Sequence, residues 1–133
     1  MKTLYLIRGV SGSGKSTLAF EMAQAMDIDY VEADAFCYNE KGEYDWQPSK
    51  LKDNHKKCQE FAEECLESGE SVIVSNTSTT EKEVNVYKNI ANKHDAKFVC
   101  IVVENRHGNV NQHNVPDYAL ERQRNNLKNS LEL

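Results

Sequence analysis

Gly9-Val10-Ser11-Gly12-Ser13-Gly14-Lys15-Ser16-Thr17 places three glycines, a lysine and two following hydroxyl residues in the spacing G-x-x-x-x-G-K-[ST]. Glycine lets backbone N–H groups approach an anion with no Cβ in the way, and lysine adds a full positive charge. Such a segment cradles a chain of phosphates. Lys15 is spaced to reach β- and γ-phosphate oxygens, Ser16 to ligate Mg²⁺ and Thr17 to hydrogen-bond the α-phosphate, while Gly9, Ser11, Gly12, Ser13 and Gly14 supply the loop. The bland alternative is a glycine turn with an incidental lysine. The flanks decide against it, because Leu4-Tyr5-Leu6-Ile7 is an apolar strand and Ser16 to Met26 carries a helical stripe of Leu18, Ala19, Met22, Ala23 and Met26. A strand feeding a loop that opens a helix aims the positive end of that helix at the phosphates.

Nucleotide binding by itself leaves kinase, ATPase and switch GTPase open. Motor ATPases need subdomains that 133 residues do not hold, and no N-K-x-D base-reading motif is present. The apolar strand Val72-Ile73-Val74 ends in Ser75-Asn76-Thr77, without the aspartate that often closes such a strand beside a metal. A kinase also needs a group to accept the proton of an attacking hydroxyl. Asp34 follows the short strand Tyr30-Val31-Glu32, at the carboxyl edge where open α/β sheets bind ligands, so it is the candidate general base. An aspartate there can also serve as a helix or turn cap.

The elements that must hold these residues alternate as short apolar runs and longer amphipathic ones, which predicts an α/β fold: three layers, with an open, mainly parallel sheet of four or five strands flanked by helices. After the second strand comes a polar excursion to Pro48 carrying Tyr44 and Trp46, then a helix to about Glu67 stopped at Ser68-Gly69. A helix over Glu81–Lys93 and a strand over Lys97–Val103 follow, then a polar stretch from Glu104 to Pro116 that reads as a flap. The last helix runs from Asp117 to Leu131, with Tyr118, Leu120, Leu127 and Leu131 as packing positions. No repeat or linker divides the chain, so residues 1–133 are expected to form one domain.

The phosphate loop, Ala33-Asp34-Ala35-Phe36, Gly42-Glu43-Tyr44, Pro48 with His55 and Cys58, Asn76-Thr77, Tyr87 and His113-Asn114-Val115-Pro116 together resemble the P-loop polynucleotide kinase group, in particular its short single-domain phage and bacterial members. The resemblance covers nearly the whole chain. It implies ATP- and Mg²⁺-dependent transfer of the γ-phosphate to a 5′-hydroxyl end of DNA or RNA. By position it further implies that Lys15 and Ser16 hold ATP and metal, that Asp34 activates the hydroxyl, that Asn76 and Thr77 contact the acceptor or the metal's water shell, and that 104–116 is a lid over ATP. Three positions depart from the group. Cys37 replaces an acceptor-gripping arginine, Ser75 an aspartate, and Val110 a lid arginine. Arg106 on the ATP side, or Arg122 and Arg124 on the last helix, are the candidates to supply the missing charge, unless they are solvated surface residues.

Lys plus Arg total 16 and Asp plus Glu 21, a formal charge of −5, which argues against coating nucleic acid by bulk electrostatics. Lys50, Lys52, Lys56 and Lys57 beside Tyr44 and Trp46 offer either a local phosphate and base contact or a solvated helix face. A kinase for a nucleoside, sugar or other small metabolite, and a nucleotide-binding protein without transfer activity, both remain open. Cys37, Cys58, Cys65 and Cys100 contain no C-x-x-C pair and read as reduced thiols, Cys58 and Cys65 sharing a buried helical face. With no apolar run approaching the roughly 20 residues of a membrane span and no signal-like N-terminus, the expected setting is cytoplasmic, the host's cytoplasm for a phage protein.

Overall fold

The computed structural model describes residues 1–33, 41–43, 50–106 and 115–133. Strand β1 (Thr3–Arg8), helix α1 (Lys15–Met26), strand β2 (Asp29–Val31), helix α2 (Leu51–Glu67), strand β3 (Val72–Asn76), helix α3 (Glu81–Lys93), strand β4 (Lys97–Val102) and helix α4 (Asp117–Asn129) follow in that order. The sheet has four strands in the order β2-β3-β1-β4, and every neighbouring pair is parallel. Parallel pairing demands crossovers, and helices supply them on both faces.

Strand alternation sorts the core into two halves. Leu4 and Leu6 of β1 and Val72 and Val74 of β3 point to one face, where Cys58, Ala62, Cys65 and Leu66 of α2 and Tyr87, Ile90 and Ala91 of α3 cover them. Ile7 and Ile73 point to the other face, against Ala19 and Ala23 of α1. Small alanines let α1 lie close to the sheet, which seats the loop ahead of it directly over the end of β1. Central strands β1 and β3 are buried on both sides and are accordingly continuous in apolar residues. The α2 stop is as expected: Gly69 adopts φ 81°, and the Glu70 N–H reaches back 2.9 Å to the Cys65 carbonyl.

Two expectations need correction. The second strand is Asp29–Val31, so Glu32 lies beyond it and is free to turn toward the loop. The last helix ends at Asn129, and of its expected packing residues Tyr118 is 73% and Leu131 42% exposed, whereas Ala119 is its one buried residue. Tyr118 lies on the opposite side of α4 from Leu120 and Leu127, which are half-buried, and Leu131 lies past the helix end; the hold of α4 on the body includes polar contacts. Pro48, Asp34, Cys37, Tyr44, Trp46, Val110 and most of the lid segment lie outside the described residues.

Leu66, fully buried between α2 and the sheet, gives a direct test of this core. Leu66→Ala is expected to lower unfolding free energy by about 2–5 kcal/mol, read as a reduced midpoint in urea.

Candidate active site

The loop from Gly9 to Gly14 leaves β1 at the carboxyl edge of the sheet. Gly12 and Gly14 have φ of 84° and 95°, conformations that glycine adopts without strain, and a Cβ on Gly9 would sit 2.6 Å from Ser13 Oγ and 2.9 Å from the Val103 carbonyl. The glycine spacing is thus imposed by geometry. Lys15 opens α1 and is buried, while Ser16 and Thr17 face solvent.

Ser16 Oγ donates a hydrogen bond of 2.7 Å to Glu32 Oε2. Sequence reasoning passed over Glu32 because it expected the residue to end a strand. Two hard oxygen donors this close suit Mg²⁺, which takes a few protein oxygens and keeps several waters. Ser75 carries no acid at the end of β3, and the carboxylate beside Ser16 is that of Glu32, just beyond the neighbouring strand β2. Ser75 lies on the α1 face of β3 and is 1% exposed, and its Oγ is without a hydrogen-bond partner among the described residues.

Asn76 projects to the opposite face of β3. Its Oδ1 accepts the Ala33 N–H at 2.8 Å, and its Nδ2 donates to Tyr87 Oη at 3.4 Å and Cys58 Sγ at 3.5 Å. Burial pushes the pKa values of both the Cys58 thiol and the Tyr87 phenol up, so both are neutral partners. The Asn76 side chain thus fixes the peptide between Glu32 and Ala33, and what it brings to the site through these bonds is position. Cys65, pushed up to about 11 by burial and then by the nearby Asp29 and Glu70 carboxylates, is a protonated core thiol.

A cleft of about 690 Å³ joins these groups. Lys15, Glu32 and Ser11 line its loop side; Ser75, Asn76, Thr77, Thr79 and Thr80 line its floor; Leu51 and His55 of α2, Glu83 of α3, and Arg122 and Gln123 of α4 complete it. Arg122 is thus brought to Lys15, and Thr77 to Asn76. Arg106 is not among the lining residues: its guanidinium is exposed and pairs with Glu104, which raises its pKa. The Arg8 guanidinium, 3% exposed, lies in the body of the protein, donating to the Ser78 carbonyl at 2.8 Å and to Ser130 Oγ at 2.7 Å.

The profile of a family of AAA domains matches residues 4–129. The chain belongs to that family. This AAA domain has the fold of P-loop kinases. It is similar to a chain of the Pnkp1/Rnl/Hen1 RNA repair complex (TM-score 0.80, 19% identity), covering 97% of the AAA domain and 45% of that chain. A sugar kinase from Janibacter sp. HTCC2649 (TM-score 0.67, 20% identity) matches over 99% of the AAA domain and 80% of its own length. The Mycobacterium tuberculosis APS kinase CysC in complex with AMPPNP and APS (TM-score 0.61, 16% identity) matches over 92% and 67%. The AAA domain thus spans well under two thirds of the repair-complex subunit. No described helix is long and apolar enough to cross a membrane.

Asn76→Ala would leave the buried Ala33 N–H without its acceptor. It is expected to cost about 1–3 kcal/mol of stability, and Tyr87→Phe, which removes the hydroxyl shared with Asn76 and Cys58, about 0.5–1.5 kcal/mol, both by urea unfolding.

Proposed function

We propose that the protein transfers the γ-phosphate of ATP to a hydroxyl acceptor, with the 5′-hydroxyl end of a DNA or RNA strand as the first candidate. The observation that carries this reading is one cleft lined by Lys15, by Glu32, which accepts from Ser16 Oγ, and by the hydroxyl residues Ser75, Thr77, Thr79 and Thr80. Phosphoryl transfer asks for positioning and for charge on the γ-oxygens more than for covalent chemistry.

Lys15 and the N–H groups of Ser11 to Thr17 hold the phosphates. Arg122, across the cleft, stabilises charge on the transferring group. Ser16 and Glu32 would hold Mg²⁺, which would supply positive charge beside the transferring phosphate. Asp34, two residues beyond Glu32, takes the acceptor's proton as general base. Thr77 and Thr79 orient the acceptor with hydroxyls, Asn76 keeps the Glu32–Ala33 peptide in place, and Arg106 is kept as a nucleotide-side residue reached through the lid at 104–116. Residues 1–133 act as one kinase domain in this reading.

A second reading, transfer to a small neutral polyol or nucleoside, is favoured by one observation. Lys15 and Arg122 are the only lysine or arginine lining the cleft, and 34–40, 44–49 and 107–114 contain neither residue type. A long polyanion would have to be held by hydroxyls and backbone N–H groups.

With γ-labelled ATP and Mg²⁺, Lys15→Ala is expected to abolish both ATP binding and transfer. Asp34→Asn should keep ATP binding and lose about 10²-fold or more in transfer. Undiminished transfer by Asp34→Asn would remove that residue as base, and labelling of small alcohols but never of 5′-hydroxyl oligonucleotides would select the second reading. Glu32→Gln is expected to raise the Mg²⁺ concentration needed for half-maximal rate while leaving metal-free nucleotide binding unchanged, measured by titrating Mg²⁺ at fixed ATP.

A further inference from the structure

The Ser11 backbone N–H, one of the donors of the phosphate loop, is already engaged. It donates at 2.9 Å to Oε1 of Gln123, a residue 112 positions along the chain on α4. A carboxamide oxygen carries partial negative charge and accepts from a backbone N–H in the same way as a phosphate oxygen, though more weakly than an anion does. Gln123 therefore stands where a ligand oxygen belongs. We infer that Gln123 is a latch on the phosphate loop that the γ-phosphate of a bound nucleotide must displace, and that its release frees α4 together with Arg122.

Three observations support this. Ser11 is near the start of the loop, whereas the α-phosphate end lies at Thr17, so the N–H occupied by Gln123 belongs to the γ end. Next, α4 has Ala119 as its one fully buried residue, with Leu120 and Leu127 only half-buried, so no broad, fully buried apolar face resists its movement. Its far end is tied separately, by Ser130 Oγ accepting from the buried Arg8 guanidinium at 2.7 Å, which leaves that end as the pivot. Gln123 and Arg122 both line the cleft, so a shift that withdraws the amide from Ser11 also moves the arginine relative to Lys15. The latch thus couples the presence of a γ-phosphate to the placement of the charge that would stabilise its transfer.

The inference rests on the nucleotide reading above, and its test separates the two. In nucleotide-free protein, amide exchange at Ser11 is followed by NMR in the wild type and in Gln123→Leu, which keeps much of the side chain's bulk and removes the acceptor. Ser11 is expected to exchange about tenfold or more faster in the variant, the protection of roughly one hydrogen bond being lost. Calorimetry with ATP and with ADP then reads the competition: Gln123→Leu should bind ATP about three- to tenfold tighter and ADP unchanged. Should leucine prevent folding, Gln123→Ala serves with the same readouts.

Unchanged exchange at Ser11, weaker ATP binding in the variant, or an equal gain for ADP would each overturn the latch. Failure of the wild type to bind ATP would refute the nucleotide reading, and the Ser11 exchange rate, measured without nucleotide, would still decide whether Gln123 holds that N–H.

Discussion

One side-chain amide holds the working edge of the sheet together. Asn76 accepts from the Ala33 backbone with its oxygen and donates with its nitrogen to Cys58 on α2 and Tyr87 on α3, so β2, β3 and both covering helices meet at a single group. β2 has only three residues, with its first two exposed, and its own ladder to β3 is correspondingly short. The Asn76 bond therefore adds a buried anchor to the segment leaving β2. That segment carries Glu32 to Ser16, so the geometry of the metal side of the cleft traces back to an uncharged contact on the opposite face of β3. Buried polar groups of this kind have to be fully paired to be stable, and the amide meets that requirement with one acceptor bond and two donor bonds.

The cleft is sparing with charge. Sixteen lysines and arginines are distributed over the chain, yet only Lys15 and Arg122 line it, and the other buried cation, Arg8, is bonded to Ser78 and Ser130 in the body of the protein. The basic cluster at Lys50, Lys52, Lys56 and Lys57 stands on the helix that contributes Leu51 and His55 to the cleft, but none of the four lines it. Charge recognition is therefore concentrated on the transferring phosphates. The rest of the lining is threonine and serine hydroxyls, a histidine and the Glu83 carboxylate, a set better matched to hydroxyl groups than to an extended row of phosphates.

What could be read from the sequence was local. The phosphate loop is defined by spacing within nine residues and by its flanking strand and helix, all of which obey short-range rules, and the alternating apolar runs were enough for the layers and the parallel sheet. Interactions across the fold were not legible. Ser16 with Glu32 depends on β2 ending one residue earlier than its pattern suggests, and Gln123 with Ser11 depends on how a weakly amphipathic helix docks. For α4, four apolar side chains suggested a packing stripe, but Tyr118 lies on the far side of the axis from the three leucines and Leu131 lies past the helix end, so Leu120 and Leu127 are only half-buried and an alanine became the buried residue. Ser75 and Asn76 show the same limit at the finest scale: adjacent residues on one strand face opposite layers, and nothing in their letters says which faces the loop.

The placement of the acid also gives the acidity of the chain a local meaning. In many phosphate-loop sites the carboxylate beside the metal ends the strand next to the loop strand; here that position is a buried serine, and the carboxylate comes from beyond β2, one strand further out. The proposed metal acid Glu32 and the proposed base Asp34 then lie on one short segment, separated only by Ala33. A displacement of the Ala33 peptide would disturb metal binding and proton transfer together, whereas an acid on β3 would let them vary independently. The chain's net charge of −5 neither helps nor hinders such a site, because its effect on a bound phosphate is screened over about 10 Å at 0.1 M salt. The groups within that range decide the field, and there the cations Lys15 and Arg122 line the cleft with the carboxylates Glu32 and Glu83, so the formal charges balance and a proposed divalent cation would make the site favour phosphates.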